Sequence, residues 1–147
     1  MATFLDDRDR ARLMARLGAL TSGSQPRWGK FTVAGMLCHL RESARMASGE
    51  LPVPDVGKKA FQVFPLKHLI LHVLPFPKGA PTAPLLLAAS PEEFEEAMRQ
   101  LTQALDSFLH EDLRPAPRHP LFGPLTRKEW GTLAYKHIDH HLRQFGV

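Results

Sequence analysis

Two histidines near the end of the chain have the spacing of a metal site. His137 and His141 are four positions apart, so in a helix both rings project from the same side. The apolar residues Trp130, Leu133 and Ile138 recur on that side, which predicts that both rings are buried. A buried polar group without a partner costs about 1–3 kcal/mol, and one bound transition metal would satisfy both rings. The spacing therefore indicates a metal site.

A zinc-type site with an open coordination position needs a third protein ligand. His39 is the best candidate, because it lies at the edge of the apolar stripe of another predicted helix. The residues alone leave two alternatives open. The three histidines can be core side chains bonded to backbone groups. A rival pair, His68 and His72, has the same spacing, but its short proline-bracketed segment would fix ligand orientation poorly.

Two amphipathic helices are predicted in the first third of the chain. Apolar residues at helical spacing predict the first over residues 5–20. The second is predicted to begin after Thr32, a good N-cap, and to end at Gly49. Phe31 and Met36 have the positions of a hydrophobic staple at its start. This second helix carries His39.

Two further helices are predicted in the last third. The third opens with a capping box at residues 90–93, with Pro91 at the first helical position. The fourth opens with a second capping box at residues 126–129 and continues to about Phe145, so it carries His137 and His141. These boundaries are those of a sequence prediction, accurate to a few residues.

A long proline-rich crossover, about residues 50–89, joins the second and third helices. Within it, residues 66–74 fit a two-turn helix between Pro65 and Pro75. Long connections of this kind are typically functional or cover a site. No strand-like alternation and no internal repeat is found. The prediction is a single all-α domain over residues 1–147, a four-helix bundle with one long crossover.

Composition excludes several classes of protein. The chain has 44% hydrophobic and 23% charged residues, which is ordinary for a globular protein, and it lacks an apolar stretch long enough to span a membrane. A single cysteine, Cys38, excludes an internal disulfide and is predicted to be a buried structural thiol. The N-terminus lacks a signal-peptide pattern, so we expect a cytoplasmic protein. The net charge of +4 comes from scattered residues, which predicts no nucleic-acid partner.

The chain resembles the DinB/YfiT-like superfamily of metal-binding four-helix bundles. The resemblance is carried by a histidine in helix two, His39, and by HxxxHxxQ in the last helix, formed by His137, His141 and Gln144. Three further segments, residues 26–30, 76–84 and 119–126, resemble a branch of that superfamily with no assigned function. The likeness covers nearly the whole chain, and these features together are fairly specific.

The resemblance implies an up-down-down-up bundle that binds one divalent ion, zinc or nickel, through His39, His137 and His141. Characterised relatives include S-transferases and isomerases that use low-molecular-weight thiols. The expected function is therefore a metal-dependent hydrolase or thiol S-transferase acting on a small molecule. The alternative is a non-catalytic metal-binding or interaction scaffold, since many relatives have no demonstrated activity. Gln144 fits the family pattern, and it could bond a ligand or a helix end.

The sequence names no general base for such an enzyme. Glu42 and Asp139 lie near the predicted ligands along the chain, but neither is expected to project with them. His119, His110 and His140 are expected to lie near helix ends or outside the stripe. Apolar crossover residues leave a homodimer open, because they exceed what one bundle is expected to cover; they are Phe61, Phe64, Leu71 and Leu74.

Overall fold

The computed structural model describes residues 1–55, 58–79, 93–112 and 117–147 of the chain. These residues are mostly helical, which confirms the all-α prediction. The five helices are α1 (Asp7–Leu17), α2 (Val33–Ala47), α3 (Leu66–His68), α4 (Phe94–His110) and α5 (Arg127–Gln144). A 3-10 turn, Lys59–Gln62, precedes α3, and a π-helical turn, Leu69–Val73, continues it.

Side-chain caps fix the starts of the two helices that carry the histidines. The Thr32 hydroxyl accepts a hydrogen bond from the Gly35 amide, so α2 begins where the sequence predicted. At α5 the capping box is complete. The Thr126 hydroxyl accepts from the Glu129 amide, and the Glu129 carboxylate accepts from the Thr126 amide.

The start of the third predicted helix differs from the prediction. Its counterpart, α4, begins at Phe94, and Glu93 is an extended N-cap residue that makes no side-chain capping bond. The other residues of the predicted capping box, 90–92, lie outside the described residues. Glu93 was expected inside the helix, so that part of the prediction was wrong. The acidic residues Glu95 and Glu96 occupy the first turn instead, where the helix dipole favours them.

The connection before α5 contains a small element that sequence periodicity did not predict. Strands β1 (Arg118–His119) and β2 (Gly123–Pro124) pair antiparallel, with His119 opposite Gly123. Two residues are too short for an alternating pattern to be seen. Gly123 has a φ of +67°, a conformation that a glycine adopts without strain. The ribbon leads directly into the capping box of α5.

The helices enclose one apolar core. α2 packs most extensively against α4, while α5 packs against both α1 and α2. Met36, Leu101 and Leu142 are fully buried in this core. The crossover contributes Leu71, which is also fully buried, whereas Phe64 remains 81% exposed. The described part of the crossover therefore contributes to the core through Leu71 and leaves other apolar side chains on the surface. No helix within the described ranges is long and apolar enough to cross a membrane.

Candidate metal centre

The three predicted ligands come together between α2 and α5. One ring nitrogen from each of His39, His137 and His141 lies within 4.8 Å of the other two. The Nε2 atoms of His39 and His137 are 2.9 Å apart. His39 and His141 are buried, while His137 keeps some surface accessible to solvent. Because α2 and α5 face each other at this level, residues almost a hundred positions apart in sequence form one cluster.

The arrangement keeps the His137 and His141 rings neutral. The ring centroids are 4.8–4.9 Å apart in all three pairs. Burial, with a smaller effect of His39 and His141, holds the pKa of His137 well below its ordinary value. Burial and the nearby His39 also lower the pKa of His141 to about 3, against the opposing effect of the hydrogen bond that His141 donates to the Gln144 oxygen. Because both pKa values are lowered, His137 and His141 are neutral at neutral pH. Neutral imidazole is the form that binds metal ions.

Gln144 determines which nitrogen of His141 faces the cluster. The Gln144 side-chain NH₂ donates to the Trp28 carbonyl over 2.9 Å, which turns its oxygen toward His141. That oxygen lies 2.7 Å from Nδ1 of His141 and can only accept, so Nδ1 carries the proton. Nε2 of His141 then keeps its lone pair. A histidine oriented by a second hydrogen bond in this way is typical of metal sites.

The three ring nitrogens could hold a tetrahedral ion after their side chains adjust. Ligand nitrogens at about 2.0–2.1 Å from zinc would stand about 3.3 Å from one another. The separations here, from 2.9 Å up to 4.8 Å, bracket that value. Phe31 stacks on His39 at 5.2 Å and meets His141 edge-on at 5.6 Å, so an apolar wall holds both rings. Three protein ligands would leave one coordination position for a ligand from solution.

The chain matches one family, DUF1569, described as proteins of unknown function, over residues 5–146. The chain belongs to this family. No curated protein matches it, and no solved structure matches it. The match covers all three histidines and Gln144, but a family without a known function assigns none of them a role.

The two acidic residues considered as general bases are engaged elsewhere in this DUF1569 protein. Glu42 is buried and pairs with Arg41 at 2.7 Å and with Arg45 at 3.4 Å. Asp139 pairs with Arg16 at 2.6 Å and with Arg143 at 3.0 Å, which ties α1 to α5. Both carboxylates therefore form ion pairs that hold structure rather than face the histidines. The expectation that neither projects with the ligands agrees with these contacts.

The remaining candidates take structural positions. Cys38 is 1% exposed, as expected of a buried thiol. The rival pair, His68 and His72, has ring centroids 4.5 Å apart, and Nδ1 of His72 lies 3.0 Å from the Met1 sulfur. These two rings do not join any group of three metal-ligating side chains among the described residues. The exposed ring of His110 pairs with Asp106 on α4.

His119 stabilises the turn before α5. Its Nδ1 accepts hydrogen bonds from the amides of Leu121 and Phe122, at 3.1 and 3.3 Å. The ring packs on Phe122 and Trp130. Burial lowers the pKa of His119 to about 4, so the ring stays neutral and can accept both bonds. The sequence placed this histidine near a helix end but gave no sign of the turn that it closes.

Sequence reasoning missed how the crossover reaches the histidines. The Phe76 ring lies 6.2 Å from His137 and 6.1 Å from His140. The Lys136 ammonium donates to the carbonyls of Ile70 and Leu74 and lies 4.9 Å from the Phe76 ring centroid. A single aromatic residue in a crossover carries no spacing signal. Only the packing of the crossover on α5, where Lys136 lies, brings Phe76 to the site.

Proposed function

We propose that this protein binds one divalent metal ion, zinc or nickel, through His39, His137 and His141. The observation that carries the proposal is the chain of hydrogen bonds from the Trp28 carbonyl through Gln144 to His141. That chain orients the His141 ring and leaves Nε2 unprotonated. The HxxxHxxQ pattern supports a further proposal, that the family is a branch of the DinB-like superfamily with its up-down-down-up bundle.

The reaction that these residues support best is S-transfer, in which the thiolate sulfur of a low-molecular-weight thiol forms a bond to a small molecule while that molecule's bond to its leaving group breaks. When bound, an ion held by three neutral imidazoles keeps its full positive charge and strongly favours the thiolate form of a coordinating thiol. Thiol activation of this kind needs no protein base. Metal-assisted hydrolysis, the other enzyme class considered, usually employs one. Among the described residues no carboxylate joins the cluster, and Glu42 and Asp139 are held in ion pairs.

One observation favours the alternative, a scaffold without catalysis. His141 is satisfied by Gln144, and His39 and His137 lie within hydrogen-bonding distance of each other, so the rings have partners without an ion. Such a network would satisfy the hydrogen-bonding groups of the buried rings, and the histidines would then be structural residues of the core. An interaction scaffold without metal differs from the proposed enzyme in metal content, and a non-catalytic metal-binding scaffold differs from it in thiol binding; both quantities can be measured.

The first experiment is metal analysis of the purified, tag-free protein after reconstitution with zinc or nickel and removal of excess ion. We expect one ion per chain in the unchanged protein. We expect its loss in His39→Ala and in His137→Ala, because two remaining imidazoles bind a divalent ion much more weakly. The matched control is a His68→Ala/His72→Ala double variant, which removes the rival HxxxH pair and is expected to keep the ion.

The outcomes separate the alternatives. Absence of metal from the reconstituted protein, with native circular dichroism, would leave the scaffold function. Loss of metal only in the rival double variant would move the site to the crossover. If the ion binds as expected, cobalt substitution tests the thiol step, since a coordinated thiolate gives an intense charge-transfer band. A cobalt protein that shows no such band with any small thiol would contradict thiol transfer.

A further inference from the structure

His137 is the member of the cluster that keeps some exposure to solvent, and an aromatic residue and a lysine, Phe76 and Lys136, lie beside it. On the crossover side, Phe76 packs near both His137 and His140. Lys136 anchors that part of the crossover to α5 through the carbonyls of Ile70 and Leu74. The Phe76 ring is therefore held in place next to His137, the partly exposed histidine of the cluster. A molecule that approaches His137 from solution passes an apolar wall.

Trp28 also packs near His140, with ring centroids 6.0 Å apart. Its backbone carbonyl accepts the hydrogen bond from Gln144, so Trp28 is tied to the same network that orients His141. The neighbouring Gly29 has a φ of +80°, and a Cβ there would stand 2.5 Å from the Gln144 amide nitrogen. The position of Trp28 relative to the histidines is therefore fixed by close packing.

The Lys78 ammonium lies 4.4 Å from the centroid of the Trp28 ring. Lys78 is exposed, and it forms no salt bridge with any acid in the described parts of the chain. The indole thus holds a cation whose charge no described carboxylate neutralises. Arg27 and Lys30, in the same turn as Trp28, are also exposed and basic. Asp139, the neighbour of His140 in sequence, already pairs with Arg16 and Arg143.

We propose that Trp28, Phe76 and Lys78 form a subsite for the carboxylate end of a small thiol whose sulfur reaches the three histidines. The inference rests on the proposed function and names the class of ligand. The two rings contact the apolar stem of such a molecule, and the ammonium attracts its carboxylate. Because the indole face restrains the ammonium, less side-chain freedom is lost when the anion binds.

The test uses the cobalt-loaded protein and two probes of nearly equal shape, 3-mercaptopropionate and its neutral amide, 3-mercaptopropionamide. The thiolate-to-cobalt absorption band reports binding of each probe without any turnover. We expect the acid to bind about two- to fivefold more tightly than the amide at low salt, the range for one partly solvated ion pair. The preference is expected to shrink as salt is added, because the ammonium is exposed.

Three variants assign the effect to Lys78. Lys78→Gln is expected to remove the preference by weakening the acid and leaving the amide unchanged, while Lys78→Arg restores it. The matched control is Lys128→Gln, an exposed lysine in the first turn of α5, which changes net charge equally and is expected to keep the preference.

Two results would overturn the inference, and they are distinguishable. Equal binding of both probes, or a preference that survives in Lys78→Gln, refutes the carboxylate subsite while the cobalt–thiolate band still supports the proposed function. A protein that takes up no cobalt, or shows no band with either probe, refutes the proposed function and the subsite with it.

Discussion

Replacing Gln144 by leucine tests whether its hydrogen bonds hold the metal site or only the fold. Gln144 is 4% exposed and links the Trp28 carbonyl to Nδ1 of His141. Leucine leaves both partners without a bond, which is expected to cost about 2–6 kcal/mol of unfolding free energy at about 1–3 kcal/mol for each unsatisfied group. The His141 ring also loses the acceptor that fixes its proton on Nδ1, so Nε2 no longer keeps a lone pair in every molecule.

The expected loss of metal affinity is about 10- to 100-fold, the usual effect of removing the hydrogen-bond partner of a ligating histidine. That loss corresponds to about 1.4–2.7 kcal/mol of binding free energy. The assay is competition for zinc with a coloured chelator at pH 7, together with urea unfolding of the metal-free protein. Both are measured on the unchanged protein, Gln144→Leu and Gln103→Leu, since Gln103 is an exposed glutamine on α4.

A second variant separates metal binding from stability. Gln144→Glu keeps an acceptor for His141 but loses the donor to the Trp28 carbonyl. We expect it to be destabilised and yet to bind zinc nearly as tightly as the unchanged protein. If Gln144→Leu loses stability but its zinc affinity matches that of Gln103→Leu, the hydrogen bond does not orient a metal ligand, and the central argument for the site is wrong.

Three further predictions concern the fold around the site. Glu42→Ala is expected to lower the unfolding free energy by about 3 kcal/mol in urea titration, because two arginines lose a buried partner. The control is Glu96→Ala, which removes an exposed ion pair with Arg99. An equally small effect of both substitutions would contradict the prediction. Folding lowers the pKa of His119 from about 6.5 to about 4. As the pH falls, the unfolded chain therefore binds this proton before the folded chain does. Up to about 3 kcal/mol of stability is lost between about pH 6.5 and pH 4. His119→Gln should have a flatter stability–pH curve over that interval, and an unchanged slope would show that His119 is not the titrating group. Gly131→Ala is expected to destabilise the protein by about 1–3 kcal/mol, because the added Cβ would stand 2.6 Å from the Leu5 Cγ. The control is Gly23→Ala, whose Cβ would meet nothing closer than 3.8 Å. Equal melting temperatures of the two variants would refute the clash.

Local signals in the sequence were sufficient to place the histidine-bearing helices. The Thr32 cap and the capping box at residues 126–129 are short-range hydrogen bonds, so the residues that form them are recognisable side by side. The period of the apolar residues likewise depends only on neighbouring positions. These patterns put His39, His137 and His141 on helix faces expected to be buried, and the structure brings the three together.

The start of α4 shows where a local signal is not decisive. The sequence offered a capping box at residues 90–93, but Glu93 is extended and the helix begins at Phe94. A capping box adds only about 1 kcal/mol, which packing of the following residues can override. The ribbon that pairs His119 with Gly123 had no signal at all, because a strand of two residues shows no period.

The amino-acid sequence by itself determined which residues are able to ligate a metal and on which helices they lie, since ligand type and helical spacing are local properties. Only the tertiary structure decided that Trp28 meets Gln144, that Phe76 lies beside His137 and that Lys78 lies over the Trp28 ring. These contacts join segments far apart in the chain. Their geometry depends on how the crossover and α2 pack on α5, and no pattern of neighbouring residues records that packing.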